Sequence, residues 1–192
     1  MTRNSSAGLT IDAVMRLAPV IPVIVIDDIA AARPLAERLV ASGHFALEVT
    51  LRTPAALDAI AEMASVDGAV VGAGTVLDER QLDAALAAGA RFIVSPGLTD
   101  RLTRAAIERG VAYLPGIATA ADIMRGLDLG LDRFKFFPAV ASGGIPALKA
   151  LAAPFGRPRF CPTGGVTAAT APDWLALPSV VCVGGSWMVT GD

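Results

Sequence analysis

The sequence predicts an α/β protein, a (β/α)8 TIM barrel formed as a single domain over residues 1–192. Three observations predict it. Short apolar runs rich in β-branched and aromatic residues alternate with helical stretches at intervals of roughly 20–25 residues, the rhythm of parallel β/α units. Eight such runs are found, the number that closes this barrel. Glycines stand just past several of the helical stretches, where a helix stops. A doubly wound open sheet is the runner-up. A dinucleotide fingerprint after a strand would favour it, and residues 72–77 begin like one, but Leu77 stands where the third glycine belongs.

Taken in order, residues 1–10 are polar and expected to fray. A short amphipathic helix over 11–17 turns Met15 and Leu17 inward. Residues 20–26 form a β-branched run that reads as a strand buried on both faces. Asp27-Asp28 then open a helix over 29–41, and Gly43 stops it. A strand over 45–50 and a helix over 54–64 follow, then a strand over 69–73 and a helix over 78–88 ended by Gly89. The next units are a strand over 92–95 with a helix over 100–109 ended by Gly110, and a strand over 111–114 with a helix over 120–129 ended by Gly130. The sixth strand spans 133–137 and its helix 145–152. The seventh spans 160–162, with a helical turn over 168–175, and the eighth 180–183. Residues 186–192 are too few for a full eighth helix, which is expected to be truncated or absent. Either the chain is shortened or the fold closes without that helix. In the second case the short N-terminal helix, or another subunit, covers the apolar surface beside the first and last strands.

Composition narrows the function. The 192 residues are 54% hydrophobic, much of it alanine, as helices packed closely over a buried sheet require. The net charge of −2 and the absence of a basic cluster exclude nucleic acid as a partner, so an anionic substrate must be held by local groups. Cys161 and Cys182 lie in apolar runs and read as buried reduced thiols in a cytoplasmic protein. The early apolar run 18–26 is far short of the ~20 residues of a membrane span, contains two prolines and follows no charged leader. A single histidine, His44, argues against a zinc site and against histidine-centred nucleophilic chemistry.

The chemistry points to Lys135. It sits between Phe134 and Phe136 in Arg133-Phe134-Lys135-Phe136-Phe137-Pro138, a strand in which alternation puts the two phenylalanines on one face and Arg133 with Lys135 on the other. An ammonium among aromatic rings loses hydration, which lowers its pKa, and a partly neutral amine attacks ketones to form a Schiff base. A lysine in a strand also commonly pairs with a carboxylate or snorkels to water. The chain, however, has two lysines against fourteen arginines, so it uses arginine where it needs only charge. The other lysine, Lys149, falls on the outer face of a helix.

In a barrel, reactive groups belong at the C-terminal ends of strands. The second strand ends Leu47-Glu48-Val49-Thr50-Leu51-Arg52, with Glu48, Thr50 and Arg52 sharing one face. Either Glu48 and Arg52 form a structural ion pair, or Glu48 is a general acid/base and Arg52 clamps a substrate carboxylate. The third ends Gly72-Ala73-Gly74-Thr75, where small residues allow close approach and Thr75 offers a hydroxyl. Ser95-Pro96-Gly97 and Leu114-Pro115-Gly116 read as shaped turns. The seventh ends Cys161-Pro162-Thr163-Gly164-Gly165 and the eighth Val183-Gly184-Gly185-Ser186. Each glycine pair alone is a tight turn. Both together, after strands seven and eight, favour a phosphate site made of backbone N–H groups.

These segments resemble the 2-keto-3-deoxy-6-phosphogluconate (KDPG) aldolases, class I enzymes of the Entner–Doudoroff pathway, over residues 11–187. The resemblance implies a Schiff-base lysine at Lys135, an acid/base glutamate at Glu48 and a carboxylate-binding arginine at Arg52, with Thr75 in the same carboxylate pocket. It implies phosphate contacts at Gly164, Gly165 and Ser186, with Thr163, Gly184 and Gly185 in the same two turns, and pocket walls at Pro96 and Phe137. It further implies a phosphorylated 2-keto acid cleaved to pyruvate and glyceraldehyde 3-phosphate, a homotrimer, and no metal or cofactor beyond the covalent imine. Val140 stands where relatives usually carry an acidic residue, and relatives continue for about one more helix. The competing readings are a 4-hydroxy-2-oxoglutarate aldolase, a non-catalytic trimeric scaffold and a phosphate-binding barrel isomerase or synthase.

Overall fold

The structure, a computed structural model, describes residues 8–190; the stretch expected to fray lies mostly outside them. The chain enters through α1 (Ile11–Met15) and β1 (Val20–Ile24), then a 3-10 turn (Ile29–Ala31) leading into α2 (Ala32–Ala41). Next come β2 (Ala46–Thr50), α3 (Ala56–Ala64), β3 (Val70–Gly74), α4 (Glu79–Ala87), β4 (Phe92–Ser95) and α5 (Asp100–Glu108). They are followed by β5 (Ala112–Ile117), α6 (Ala120–Asp128), β6 (Arg133–Phe136) and α7 (Gly144–Ala152). The last are β7 (Arg159–Pro162), α8 (Ala171–Leu175), β8 (Val183–Gly185) and α9 (Trp187–Thr190).

All strands pair in parallel in the order β7-β6-β5-β4-β3-β2-β1-β8. Two parallel bridges, Phe160 with Val180 and Thr163 with Gly184, draw β7 to β8 and close the cylinder. The helices begin where short polar side chains cap free N–H groups: Thr10, Asp78, Thr99 and Thr119 each accept from a first-turn amide, and Thr119 with Asp122 makes a full capping box. The four glycines expected to stop helices, Gly43, Gly89, Gly110 and Gly130, all take the left-handed conformation that ends them.

Alternation along the strands builds two layers. Residues facing out, such as Leu47, Val49, Val71, Ala73 and Ile93, pack under the helices, and Phe134, Phe136, Phe160 and Val183 do the same on the β6–β8 side. Residues facing in form an apolar floor of Ile21, Ala46, Phe92, Val94, Ala112, Leu114, Cys161 and Cys182. Helix α1 adds Val14 and Met15 to that floor, so it plugs the N-terminal end of the barrel. Of the two covers expected for the flank beside β1 and β8, the N-terminal helix or another subunit, the helix is therefore not the one. That flank is met by α9, whose Met188 and Val189 pack against the cluster containing Ile24 and Ile26.

Further differences have local reasons. Leu17 is only half-buried, because α1 ends at Met15. Strand β1 stops at Ile24, leaving Val25 exposed. Strand β5 runs through Pro115 and Gly116 instead of turning there. Glycine is required at 116: a Cβ would lie 2.1 Å from the Pro96 carbonyl oxygen. Strand β8 begins at Val183 rather than near 180, since register with β1 pairs Ile21 with Gly184 and Pro22 with Gly185. Ladder geometry overrides the weak strand propensity of glycine. The helical turn after β7 starts at Ala171, later than expected.

Candidate active site

Three charged side chains line the C-terminal mouth of the barrel. Strand alternation places Glu48 and Lys135, while Arg52 stands on the turn that follows β2, which does not stay extended that far. Glu48 and Thr50 point inward from β2 while Leu47 and Val49 point out. Lys135 points inward from β6 between outward Phe134 and Phe136. The Lys135 Nζ donates to Glu48 Oε1 at 3.0 Å and reaches Oε2 at 3.4 Å. It also lies 5.3 Å from the centroid of the Phe137 ring, within cation–π range. Lys135 is 5% exposed and Glu48 3%. Charges so buried are costly unless paired, and here each is the other's partner.

The pairing removes one of the two readings of Glu48, the structural ion pair with Arg52. Its partner is Lys135, not Arg52. Arg52 sits at the exposed rim, its Nε donating to Thr50 Oγ1 at 3.1 Å, and no carboxylate of the described residues lies within ion-pair distance of it. Room for the glutamate comes from Gly74: a Cβ there would lie 2.3 Å from Glu48 Oε1. Beneath it, Gly72 makes the same allowance for the Phe92 ring.

These groups open into a cavity of about 520 Å³. All twelve residues singled out in the sequence line it: Glu48, Arg52 and Lys135 on the charged side, Thr75, Pro96 and Phe137 around the wall, and Thr163, Gly164, Gly165, Gly184, Gly185 and Ser186 on the side of β7 and β8. On that last side, Gly164 and Gly165 are both left-handed. The backbone N–H groups of Gly165, Val166 and Ser186 donate to no protein acceptor among the described residues. Three free donors on residues that line a cavity suit an anion. One expectation is corrected: Gly184 and Gly185 lie within β8 rather than in a turn after it. No three metal-ligating side chains cluster among the described residues.

Other parts of the site carried no readable signal. Val23, Val25, Val166 and Val189 complete the wall. Thr75 holds a left-handed φ of 60°, unusual for a β-branched residue and invisible in composition or spacing. The turn bearing Pro96 is fastened by Ser95, whose hydroxyl donates to the Gly97 carbonyl at 2.7 Å and meets the Tyr113 hydroxyl at 2.7 Å. Burial pushes the Tyr113 phenol above its ordinary pKa, partly offset by the Ser95 contact. Both cysteines are free and buried in the floor below Lys135. The neighbouring Cys161 thiol, then burial, push the Cys182 thiol well up, which keeps it protonated and unreactive.

Known proteins share this architecture. The model of the family described as KDPG and KHG aldolase matches residues 11–192. The 2-dehydro-3-deoxy-phosphogluconate aldolase of Zymomonas mobilis is 63% identical over 179 residues, covering 93% of this chain and 86% of that protein. A crystal structure of the 2-keto-3-deoxy-6-phosphogluconate aldolase of Zymomonas mobilis with 3-phosphoglycerate superposes with a TM-score of 0.91, covering 92% of this chain and 85% of that one. The KDPG aldolase of Legionella pneumophila, solved with pyruvate captured as a covalent carbinolamine, is 47% identical with a TM-score of 0.91, over 93% of this chain and 87% of that one.

Proposed function

This chain belongs to the KDPG and KHG aldolase family, and on that premise we propose that Lys135 and Glu48 carry out a class I retro-aldol cleavage of KDPG. The chain is accordingly a lyase. The observation that carries the residue assignment is the buried Lys135–Glu48 contact of 3.0 Å inside a cavity large enough for a six-carbon acid.

The Lys135 amine attacks the C2 ketone, and loss of water from the carbinolamine gives an iminium. Glu48, through a water, removes the proton of the C4 hydroxyl. The C3–C4 bond then breaks, its electrons pass into the iminium, and glyceraldehyde 3-phosphate leaves an enamine behind. Glu48 returns a proton to C3, and hydrolysis frees pyruvate and the amine. Since Glu48 already accepts a hydrogen bond from Lys135 Nζ, it is within reach of every proton moved at C2 and C3. Arg52 and Thr75 hold the carboxylate, Pro96 and Phe137 bound the carbon chain, and the segments around Thr163, Gly164, Gly165, Gly184, Gly185 and Ser186 take the phosphate. The chemistry runs on the lysine imine, without metal or other cofactor.

The free N–H groups on the β7–β8 side of the cavity favour the phosphorylated acid over 4-hydroxy-2-oxoglutarate, for which they would be idle. The identity of 63% to a protein named for the phosphogluconate reaction points the same way. A homotrimer in the cytoplasm belongs to the same reading, and light scattering at three times 19.6 kDa would support it. No helix among the described residues is long and apolar enough to cross a membrane.

The test is to incubate the protein with pyruvate and borohydride and to locate the added mass. We expect it on Lys135. Addition on Lys149 alone, or nowhere, overturns the assignment.

A further inference from the structure

We infer that Thr50 is a positioning residue for substrate binding, its hydroxyl aiming the Arg52 guanidinium at the substrate carboxylate. The inference rests on the aldolase reading above and adds a residue to which that reading gives no role.

Thr50 ends β2 and is 1% exposed, facing the cavity. Its hydroxyl has one hydrogen, donated to the Ile24 carbonyl at the end of β1 at 2.9 Å. A carbonyl only accepts, so the direction of this bond is fixed. The lone pairs of Thr50 Oγ1 are left to accept, and Arg52 Nε donates to them at 3.1 Å. The relay therefore runs one way, from guanidinium to hydroxyl to the neighbouring strand. Thr53 repeats the anchor two residues past the end of β1, donating to the Ile26 carbonyl. On the other side, the Leu51 N–H donates to the Gly74 carbonyl at 2.8 Å. The end of β2 is thus fastened to both neighbours, and the arginine is tied to that fastened end.

The anchor matters because Arg52 is exposed. A rim arginine with no ion-pair partner samples many rotamers, and ordering it on binding weakens affinity. Holding Nε from behind lowers that penalty before substrate arrives. It also sets the approach: with the Nε–H engaged, the two terminal Nη groups remain, and they offer a carboxylate an end-on, two-pronged contact.

The experiment measures imine formation on Lys135 by borohydride trapping across a pyruvate titration, with inhibition by inorganic phosphate as a second readout. In Thr50→Val, which keeps the shape and removes the hydroxyl, half-saturating pyruvate should rise about tenfold, the scale of one hydrogen bond to a charged group. Phosphate inhibition should not change. Thr50→Ser should restore half-saturation to within about threefold of the wild type, and Thr50→Cys, with its weak acceptor, should fall between. In an Arg52→Ala background, Thr50→Val should add nothing, since the relay has lost its first member. An unchanged pyruvate titration in Thr50→Val or Thr50→Cys overturns the inference. So does an undiminished Thr50→Val effect without Arg52, which would mark Thr50 as merely structural. A wild-type protein that never traps pyruvate removes the aldolase reading and this inference together. Normal wild-type trapping with an indifferent Thr50 removes this inference alone.

Discussion

Arg133 and Lys135 lie two residues apart on β6, both facing the barrel interior, and they hold opposite ends of it. Arg133 reaches down, its Nε 2.6 Å from Asp12 of the plugging helix α1 and its Nη1 3.0 Å from Asp132. Lys135 reaches across to Glu48 at the mouth. Each is a basic side chain paired with an acid, yet the two sites suit different work. A guanidinium is always protonated and forks onto its partners, which makes a lock. An amine can lose its proton and form a bond to carbon, which makes a reagent. At the floor the barrel interior is filled by apolar side chains; at the mouth it is left open as the cavity.

Exchanging the two chemistries tests that contrast most severely. Lys135→Arg keeps positive charge opposite Glu48 and removes the nucleophile. Trapping should disappear, and cleavage should fall by roughly four orders of magnitude or more, the scale seen when a covalent nucleophile is removed. The mirror exchange, Arg133→Lys, loses the fork but not the charge. It should leave steady-state cleavage within about threefold and lower the melting temperature by about 2–4 °C, as expected for about 1 kcal/mol in a chain of this size. Comparable losses of turnover in both variants would show that the two ends are not divided in this way.

The mouth was legible in the sequence because its reactive groups break a pattern. A lysine between phenylalanines, in a chain that otherwise prefers arginine, and a glutamate inside an apolar strand both resist a bland explanation, and period-two alternation tells which way each points. The partners of those groups were not legible. Glu48 could equally have met Arg52, four residues away, and only closure of the barrel brings it to Lys135, 87 residues away. The β8 boundary was misplaced for a related reason: glycine has little strand propensity, and register with Ile21 and Pro22 is a long-range fact. The floor gave the least warning. Nothing in residues 11–15 distinguishes a helix that plugs a barrel from one that lies on its flank.

Space is the second property separating mouth from floor, and Gly74 tests it. Its missing side chain is filled by the Glu48 carboxylate, so Gly74→Ala must displace Glu48 from Lys135. A shift of about 1 Å in an acid/base group is worth about 10²-fold in turnover. The expected result is a drop of that order in the rate of pyruvate release while borohydride still traps the imine, because the amine itself is untouched. A variant that cleaves at the wild-type rate would mean that the position of Glu48 is not critical.

The smallest effect belongs to the floor and appears as pH dependence. Hydrogen bonds from Arg16 and then Arg133 hold the Asp12 carboxyl below its ordinary value of 3.8. A carboxyl with a depressed folded-state pKa binds its proton less readily in the folded chain than in the unfolded one. Its stabilisation is therefore complete above the unfolded value and fades as pH falls below it toward the folded value. Asp12 is partly exposed, so water screens much of the interaction, and about 1 kcal/mol is a reasonable ceiling. Asp12→Asn should then melt about 2–4 °C below the wild type at pH 7, and the two melting curves should converge as the buffer is taken below pH 3.8. Turnover at pH 7 should be unaffected, because the pair Asp12–Arg133 acts on the plug and not on the mouth. A gap in melting temperature that persists in acid would mean that Asp12 contributes through packing or α1 propensity rather than through its charge.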